Sequence, residues 1–281
     1  MIAENHSLTE KQIQHCETFG FLVRRKVFSA DEVAKINDEF DRHRASILAD
    51  IDPEETRSFT QWPTRIPENP FTASLLGDPR IYVPSEQLVG EDSIPVQSHC
   101  NSYGLSSGWH VDTYDRRLCV IKNIMYLQST TADRGALRVI PGSHRNPLSE
   151  DLHSMGLYGF HDDSSPFLKA SGMSGEDIPC YIFESEPGDI ITFNELTWHA
   201  AFGGFKDRRS CSFNFFTNPK TDSETEAMKT IVEHTPANTK GLGTVGLEYH
   251  PTWLENADNN PRRARWINWL KEWGFVDAFN N

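Results

Sequence analysis

The chain is short of basic residues, of cysteine and of long apolar runs, and each shortage removes a class of function. Its 281 residues carry 27 Lys and Arg against 40 Asp and Glu, a net charge of −13. Neither an extended nucleic-acid footprint nor attraction to an anionic membrane surface is expected from that balance. The five cysteines, Cys16, Cys100, Cys119, Cys180 and Cys211, are scattered, odd in number and include no CxxC pair. Such usage fits reduced thiols and a cytoplasmic setting better than a disulfide framework. No apolar run approaches the ~20 residues of a membrane span. The opening Met1 to His6 has no basic region leading into an apolar one, so neither a signal peptide nor a membrane partner is expected. Internal repeats and low-complexity segments are also missing. The expected partner is a small molecule, because a few cations inside a pocket can outweigh an acidic surface.

What is present reads as one domain over residues 1–281, mainly β with flanking helices. Residues 1–50 read as helical, with capping-box spacing at Thr9 with Gln12 and at Ser29 with Glu32, around a short strand at Phe21 to Arg24. Residues 50–84 are rich in proline and polar residues, which predicts a long irregular rim over a substrate. From 95 to 217, strand and turn alternate as in a double-stranded β-helix, or jelly roll. A polar Gly- and Ser-rich insertion at 146–179 is a second candidate lid. At 261–273, Trp266, Ile267, Trp269, Leu270 and Trp273 fall at helical spacing behind Arg262, Arg263 and Arg265. That stripe predicts an amphipathic helix docked on the barrel or on a second subunit, which leaves a homodimer open.

The chemistry concentrates at Trp109-His110-Val111-Asp112, answered by His199 and then Arg208. In an extended strand, His110 and Asp112 project to one side. With His199 they make a two-histidine, one-carboxylate set, which on iron(II) leaves three positions open for oxygen chemistry. Alone, the His-x-Asp pattern is weak, and His161-Asp162-Asp163 repeats it. That second copy lies in the polar insertion, too close to His199 for strands to intervene, and reads as a surface loop.

The order of surrounding segments carries a stronger signal. A Gly- and Ser-rich loop, Tyr103 to Gly108, precedes His110, and the apolar run Leu118 to Leu127 follows Asp112. Next come Gly135-Ala136-Leu137 through Pro141-Gly142-Ser143-His144, the turn Pro187-Gly188-Asp189, His199 and the pair Arg208-Arg209. Over residues 8–218 this resembles the phytanoyl-CoA dioxygenase family of iron(II)/2-oxoglutarate oxygenases. The resemblance implies iron(II) on His110, Asp112 and His199, 2-oxoglutarate as co-substrate, O2 as oxidant, and hydroxylation or a related oxidation of an unactivated C–H. Halogenating relatives carry a small residue where Asp112 stands, so Asp112 implies oxidation rather than halogenation.

The family's 2-oxoglutarate arginine implies Arg208 or Arg209. Alternation lets one of them face inward; with Arg208 go Ser210, Ser212 and Asn214, the polar set, which favours Arg208. Gln97 and Asn101 resemble the Gln-x-x-x-Asn pair of ectoine hydroxylase, implying a hold on the co-substrate; a solvated strand face is the bland alternative. Lys122 and Tyr126 share a face that could line the same pocket, and His144 reads as a turn residue. Arg116 and Arg117 border the expected entrance and could meet an anion, or form a solvated turn. No basic platform for a CoA nucleotide is evident, which favours a smaller substrate. Two other readings use the same residues: a cupin-like metal isomerase or hydrolase without 2-oxoglutarate, and an inactive binding jelly roll.

Overall fold

The computed structural model describes residues 6–49, 59–159, 164–205, 208–234, 249–255, 257, 260–274 and 276. In chain order the strands are β1 (Phe21–Arg24), β2 (Phe59–Pro63), β3 (Ile94–Pro95), β4 (His99–Tyr103), β5 (Ser107–His110) and β6 (Val120–Tyr126). They continue with β7 (Leu137–Val139), β8 (Tyr181–Phe183), β9 (Ile190–Asn194), β10 (His199–Ala201) and β11 (Arg209–Phe216). The helices are α1 (Glu10–Phe19), α2 (Ala30–Ala49), α3 (Pro70–Ser74), α4 (Pro79–Val89), α5 (Leu148–Ser154), α6 (Pro166–Ser171), α7 (Asp222–His234), α8 (Pro251–Glu255) and α9 (Pro261–Glu272).

The large antiparallel sheet runs β1-β9-β6-β11-β4-β2, with β3 also paired to β11, and the small one runs β5-β10-β7-β8. From β4 onward the chain passes back and forth between the two sheets, which is the double-stranded β-helix. Alternation sets the layers. Along β11, Cys211, Phe213 and Phe215 pack outward among α2, α4 and α9, while Ser210, Ser212 and Asn214 face the space between the sheets. Phe21, Leu137, Val139, Phe183, Ile191 and Phe193 fill the interior as an apolar floor.

Both capping boxes form: Gln12 N and Glu32 N reach the hydroxyls of Thr9 and Ser29, and each acidic or amide partner reaches back. Gly20, at φ +83°, ends α1 in the left-handed conformation and turns the chain into β1.

Two expectations change. The described part of residues 50–84 is not an irregular rim. It holds β2, an edge strand of the large sheet with Trp62 fully buried, and then α3 and α4, with Leu75 and Leu76 of the turn between them and Ile81 of α4 in the core. Pro70 and Pro79 sit at first-turn positions, where proline starts a helix instead of breaking it. The insertion at 146–179 is also more than a lid. Its Leu152, Leu157, Leu168 and Ile178 cover the outer face of the small sheet against Trp109, Trp198 and Phe202, and Trp109 Nε1 donates to Gly175 O at 2.9 Å. The second His-x-Asp copy, at 161–163, lies outside the described residues.

Finally, α9 docks on its own barrel: Trp266, Ile267 and Leu270 join the main core, and Trp266 Nε1 donates to Ser93 O at 3.0 Å. The apolar stripe that left a homodimer open is therefore largely covered within the chain. Trp266→Ala should cost about 3–5 kcal/mol of stability, as truncation of a buried aromatic does. Denaturant unfolding with an unchanged m-value would check this.

Candidate active site

The iron-ligand candidates meet because two neighbouring strands of the small sheet present them. His110 ends β5 and His199 begins β10, and the two are directly paired in the ladder, with an irregularity in register between His199 and Ala201. Asp112 is not on the strand, as alternation alone would place it. It lies in the bend beyond β5, where its backbone N–H donates to Glu195 O at 3.0 Å. One ligand atom from each of the three side chains falls within 4.8 Å of the others. Asp112 Oδ1 is 3.9 Å from His110 Nε2, and Asp112 Oδ2 is 3.7 Å from His199 Nε2.

The backbone sets the imidazole tautomers. His110 Nδ1 lies 2.7 Å from Gly108 O, and His199 Nδ1 lies 2.8 Å from Thr197 O. A carbonyl only accepts, so each Nδ1 carries the proton and each Nε2 keeps a lone pair aimed at the common point. Burial holds both rings neutral: it lowers His110, and with the neighbouring His110 and Lys122 it pushes His199 down to about 3. Burial alone would raise Asp112, but Lys122 and the two histidines outweigh it and hold the carboxyl well below its usual range. Neutral imidazoles and an ionised carboxylate are the protonation states a metal ion needs. The donor set and its protonation fit iron(II).

Around this point lie two adjoining chambers. The first, about 460 Å³, runs between the sheets past Ile124, Tyr126 and Leu137 to Arg208. The second, about 580 Å³, opens past Thr113, Tyr114 and Asp115 and is lined by Gln97, His99, Glu195 and Asn214. Gln61, Asn101, Asp112, Lys122 and Ser212 border both.

The arginine pair divides. Arg208 is buried at the closed end of the first chamber, its guanidinium held by Tyr103 O, Gly135 O and Leu105 O at 3.2, 2.8 and 3.2 Å. Among the described residues no carboxylate pairs with it. Arg209 points the other way, forming an ion pair with Asp41 at 2.7 Å and lying over Phe40. Gly135, at φ +69°, is the neighbour that lets Arg208 in: a Cβ there would stand 2.7 Å from Nη1 and 2.8 Å from Cδ. Gly135→Ala should therefore displace the guanidinium and weaken 2-oxoglutarate binding roughly tenfold to a hundredfold, since misplacement of about 1 Å costs that much. A 2-oxoglutarate titration measures it, and wild-type affinity would contradict it.

The remaining candidates separate by chamber. Asn101 borders both, whereas Gln97 lines only the second and is not among the residues around Arg208. Nor does period two apply at Gln97, which precedes β4 with φ +56°, an uncommon conformation for a side-chain-bearing residue. Lys122 Nζ donates to Asp112 Oδ2 at 2.9 Å, and Tyr126 lines the first chamber. Arg116 donates to His144 O and Arg117 pairs with Asp115, so both guanidiniums are engaged by groups of the protein. His144 Nε2 contacts Glu17 O at the end of α1, a packing role.

Gln61 and Glu195 gained their significance only from the fold, which also sets Glu195 beside Asn214. Gln61 arrives on edge strand β2. Glu195, four positions before His199, is buried beside the metal point, and its Oε1 accepts from Asn214 Nδ2 at 2.8 Å. Burial and the Asp112 charge push its carboxyl up to about 8, against the opposing pull of Lys122. A divalent ion on Asp112 would offset part of that repulsion.

Comparison with known proteins agrees with this geometry. The family model described as phytanoyl-CoA dioxygenase (PhyH) matches residues 16–210. The ectoine dioxygenase of Sphingopyxis alaskensis is 25% identical over 225 residues, covering 70% of this chain and 71% of the relative. Among solved structures, HygX from Streptomyces hygroscopicus with nickel and 2-oxoglutarate bound superposes with TM-score 0.57 at 20% identity, covering 74% of this chain and 87% of that one. EctD from S. alaskensis with 2-oxoglutarate and 5-hydroxyectoine gives TM-score 0.55 at 20% identity, covering 77% and 78%. The chain belongs to the phytanoyl-CoA dioxygenase family and is, by class, an iron(II)- and 2-oxoglutarate-dependent dioxygenase.

Proposed function

We propose that His110, Asp112 and His199 hold the iron, that Arg208 anchors the distal carboxylate of 2-oxoglutarate, and that the second chamber receives a small molecule for hydroxylation or a related C–H oxidation. The observation that carries this reading is the convergence of two proton-free Nε2 atoms and an ionised carboxylate at the mouth of a chamber that ends in a buried guanidinium. Bound iron and 2-oxoglutarate would supply oxygen activation, with release of succinate and CO2.

The chain's own contribution is positioning. The carbonyls of Gly108 and Thr197 fix the imidazoles, and Lys122 orients Asp112 as an outer partner orients a ligand. Three backbone carbonyls hold the Arg208 fork in place, and a planar fork binds a carboxylate with two parallel hydrogen bonds. Ile124, Tyr126 and Leu137 keep water from the co-substrate's methylene groups. Asn101, on the shared wall, is placed to touch either ligand, and Gln97 is assigned to the substrate side. Five free cysteines, with burial raising Cys16 to about 12 and Cys119 to about 11, suit a reducing cytoplasm. Among the described residues no helix is long and apolar enough to cross a membrane.

The test is anaerobic titration of the metal-free protein with iron(II) and 2-oxoglutarate. We expect the weak visible charge-transfer absorption of the chelate to rise to one equivalent and to vanish in His110→Ala. Metal binding without that absorption at any 2-oxoglutarate concentration would favour the cupin-like isomerase or hydrolase.

A further inference from the structure

The second chamber has no aliphatic wall. Among the described residues no Ala, Val, Leu, Ile or Met lines it, whereas Ile124 and Leu137 line the first. Its wall holds instead four carboxamides, Gln61, Gln97, Asn101 and Asn214, together with the hydroxyl of Ser212. Its charged side chains are answered from within the protein: Lys122 pairs with Asp112 at 2.9 Å, Asp115 with Arg117 at 2.6 Å, and Glu195 Oε1 accepts from Asn214 Nδ2 at 2.8 Å. With its Nδ2 committed, Asn214 still has a buried Oδ1 without a partner among the described residues, a costly state unless a bound group supplies a donor. Gln97 is buried on the same wall and held at φ +56°. That conformation is costly for a residue with a side chain, and such strain is kept where a group has to be presented.

A carboxamide is uncharged and offers two N–H donors beside a carbonyl acceptor. A set of them is matched by groups that both donate and accept, and a hydroxyl does both. An ammonium only donates and a carboxylate only accepts, so either would leave half of the set unmet. An acyl chain would leave all of it unmet, at the full cost of desolvating each amide. At the mouth of the same chamber Tyr114 is 57% exposed, with its ring edge-to-face against His153, which in turn stacks on Tyr158. A backed aromatic ring presents a flat apolar face, which suits the C–H face of a saturated ring whose edge carries hydroxyls.

We propose that the substrate is a neutral, polyhydroxylated ring, a sugar or cyclitol, whose hydroxyls bind the carboxamides of the second chamber and whose C–H face rests on Tyr114. This rests on the oxygenase reading above, and the test keeps the two apart. Protein loaded with zinc and 2-oxoglutarate is titrated by calorimetry with methyl glucoside, methyl galactoside, methyl mannoside and myo-inositol, then with glucosamine, glucuronate and cyclohexylmethanol. At least one neutral polyol should bind about tenfold or more tightly than the amine, the uronate and the apolar ring. Gln97→Leu should weaken that polyol about three- to tenfold, as loss of a neutral hydrogen bond does. Tyr114→Ala, at an exposed position, should weaken it by about the same factor, and Tyr114→Phe, which keeps the ring face, should restore it. Should Gln97→Leu not fold, the two Tyr114 variants decide.

No binding of any neutral polyol, equal or tighter binding of the amine, the uronate or the apolar ring, or a polyol affinity unmoved by Gln97→Leu or by Tyr114→Ala would overturn the proposal. In that case the carboxamides are simply hydrated. The iron and 2-oxoglutarate absorption of the wild type is recorded beside the titrations. If it is present while the polyol preference is missing, only the substrate assignment falls; if it is missing, the oxygenase reading falls with it.

Discussion

Asp112→Ala should abolish iron binding and, with it, succinate formation. Asp112 is the only one of the three candidate ligands that is anionic, and it faces both imidazoles at under 4 Å. Loss of an outer partner that merely orients a ligand weakens metal sites by about 10- to 100-fold, so loss of the carboxylate itself should exceed a hundredfold. The substitution also strands Lys122, whose ammonium now donates to Asp112 at 2.9 Å. An unpaired cation would then stand beside the metal point and repel the incoming ion. Iron content after anaerobic loading and the chelate absorption measure the effect. A variant that retains one equivalent of iron and the absorption would show that the metal sits elsewhere.

Arg208→Ala should raise the half-saturating 2-oxoglutarate concentration about a hundredfold or more, from the ~2–5 kcal/mol that truncating one side of a desolvated charge pair costs. It should also lower the melting temperature, by on the order of 5 °C, because the carbonyls of Tyr103, Leu105 and Gly135 lose the guanidinium they share. Arg208→Lys keeps the charge but loses the fork, and should fall between alanine and wild type. Arg209→Ala provides the contrast. Its ion pair with Asp41 lies on the side of α2, more than half of the Asp41 side chain is exposed, and such pairs contribute about 1 kcal/mol or less. Co-substrate affinity should not change. Equal losses for the two arginines would defeat the assignment of the inward-facing one.

Much of this was legible in the sequence because the relevant signals are local or strictly periodic. Polar residues at 210, 212 and 214 against Cys211, Phe213 and Phe215 set the phase of β11 and hence which arginine turns inward. His110 and His199 could be set together because the order of segments around them resembles the family's, and the structure pairs them directly across β5 and β10. The misreadings have equally specific causes. Residues 50–84 read as irregular because a proline that opens a helix and one that breaks it look alike until the neighbouring turn is known. Gln61 reaches the site through pairing of β2 with β4, across about forty residues, and no local pattern announces such a contact. Glu195 looks like an ordinary acidic turn residue until Asn214 arrives from another strand. The polar insertion hid Leu152, Leu157, Leu168 and Ile178, too widely spaced to read as a packing face before the small sheet was there to receive them.

The two sheets divide the labour. Both histidines rise from the small sheet, whereas Arg208, Lys122, Asn101, Ser212, Asn214 and Gln61 rise from or beside the large one. The small sheet is clamped on its outer face by the insertion, and the large sheet ends in β2, an edge strand held by a single ladder. Selectivity can thus drift independently of reactivity. Exchanging side chains on β2, or re-registering it by one residue pair, would reshape the substrate wall while the histidines stay seated, so a laboratory seeking new substrates for this scaffold should randomise that margin before touching the centre.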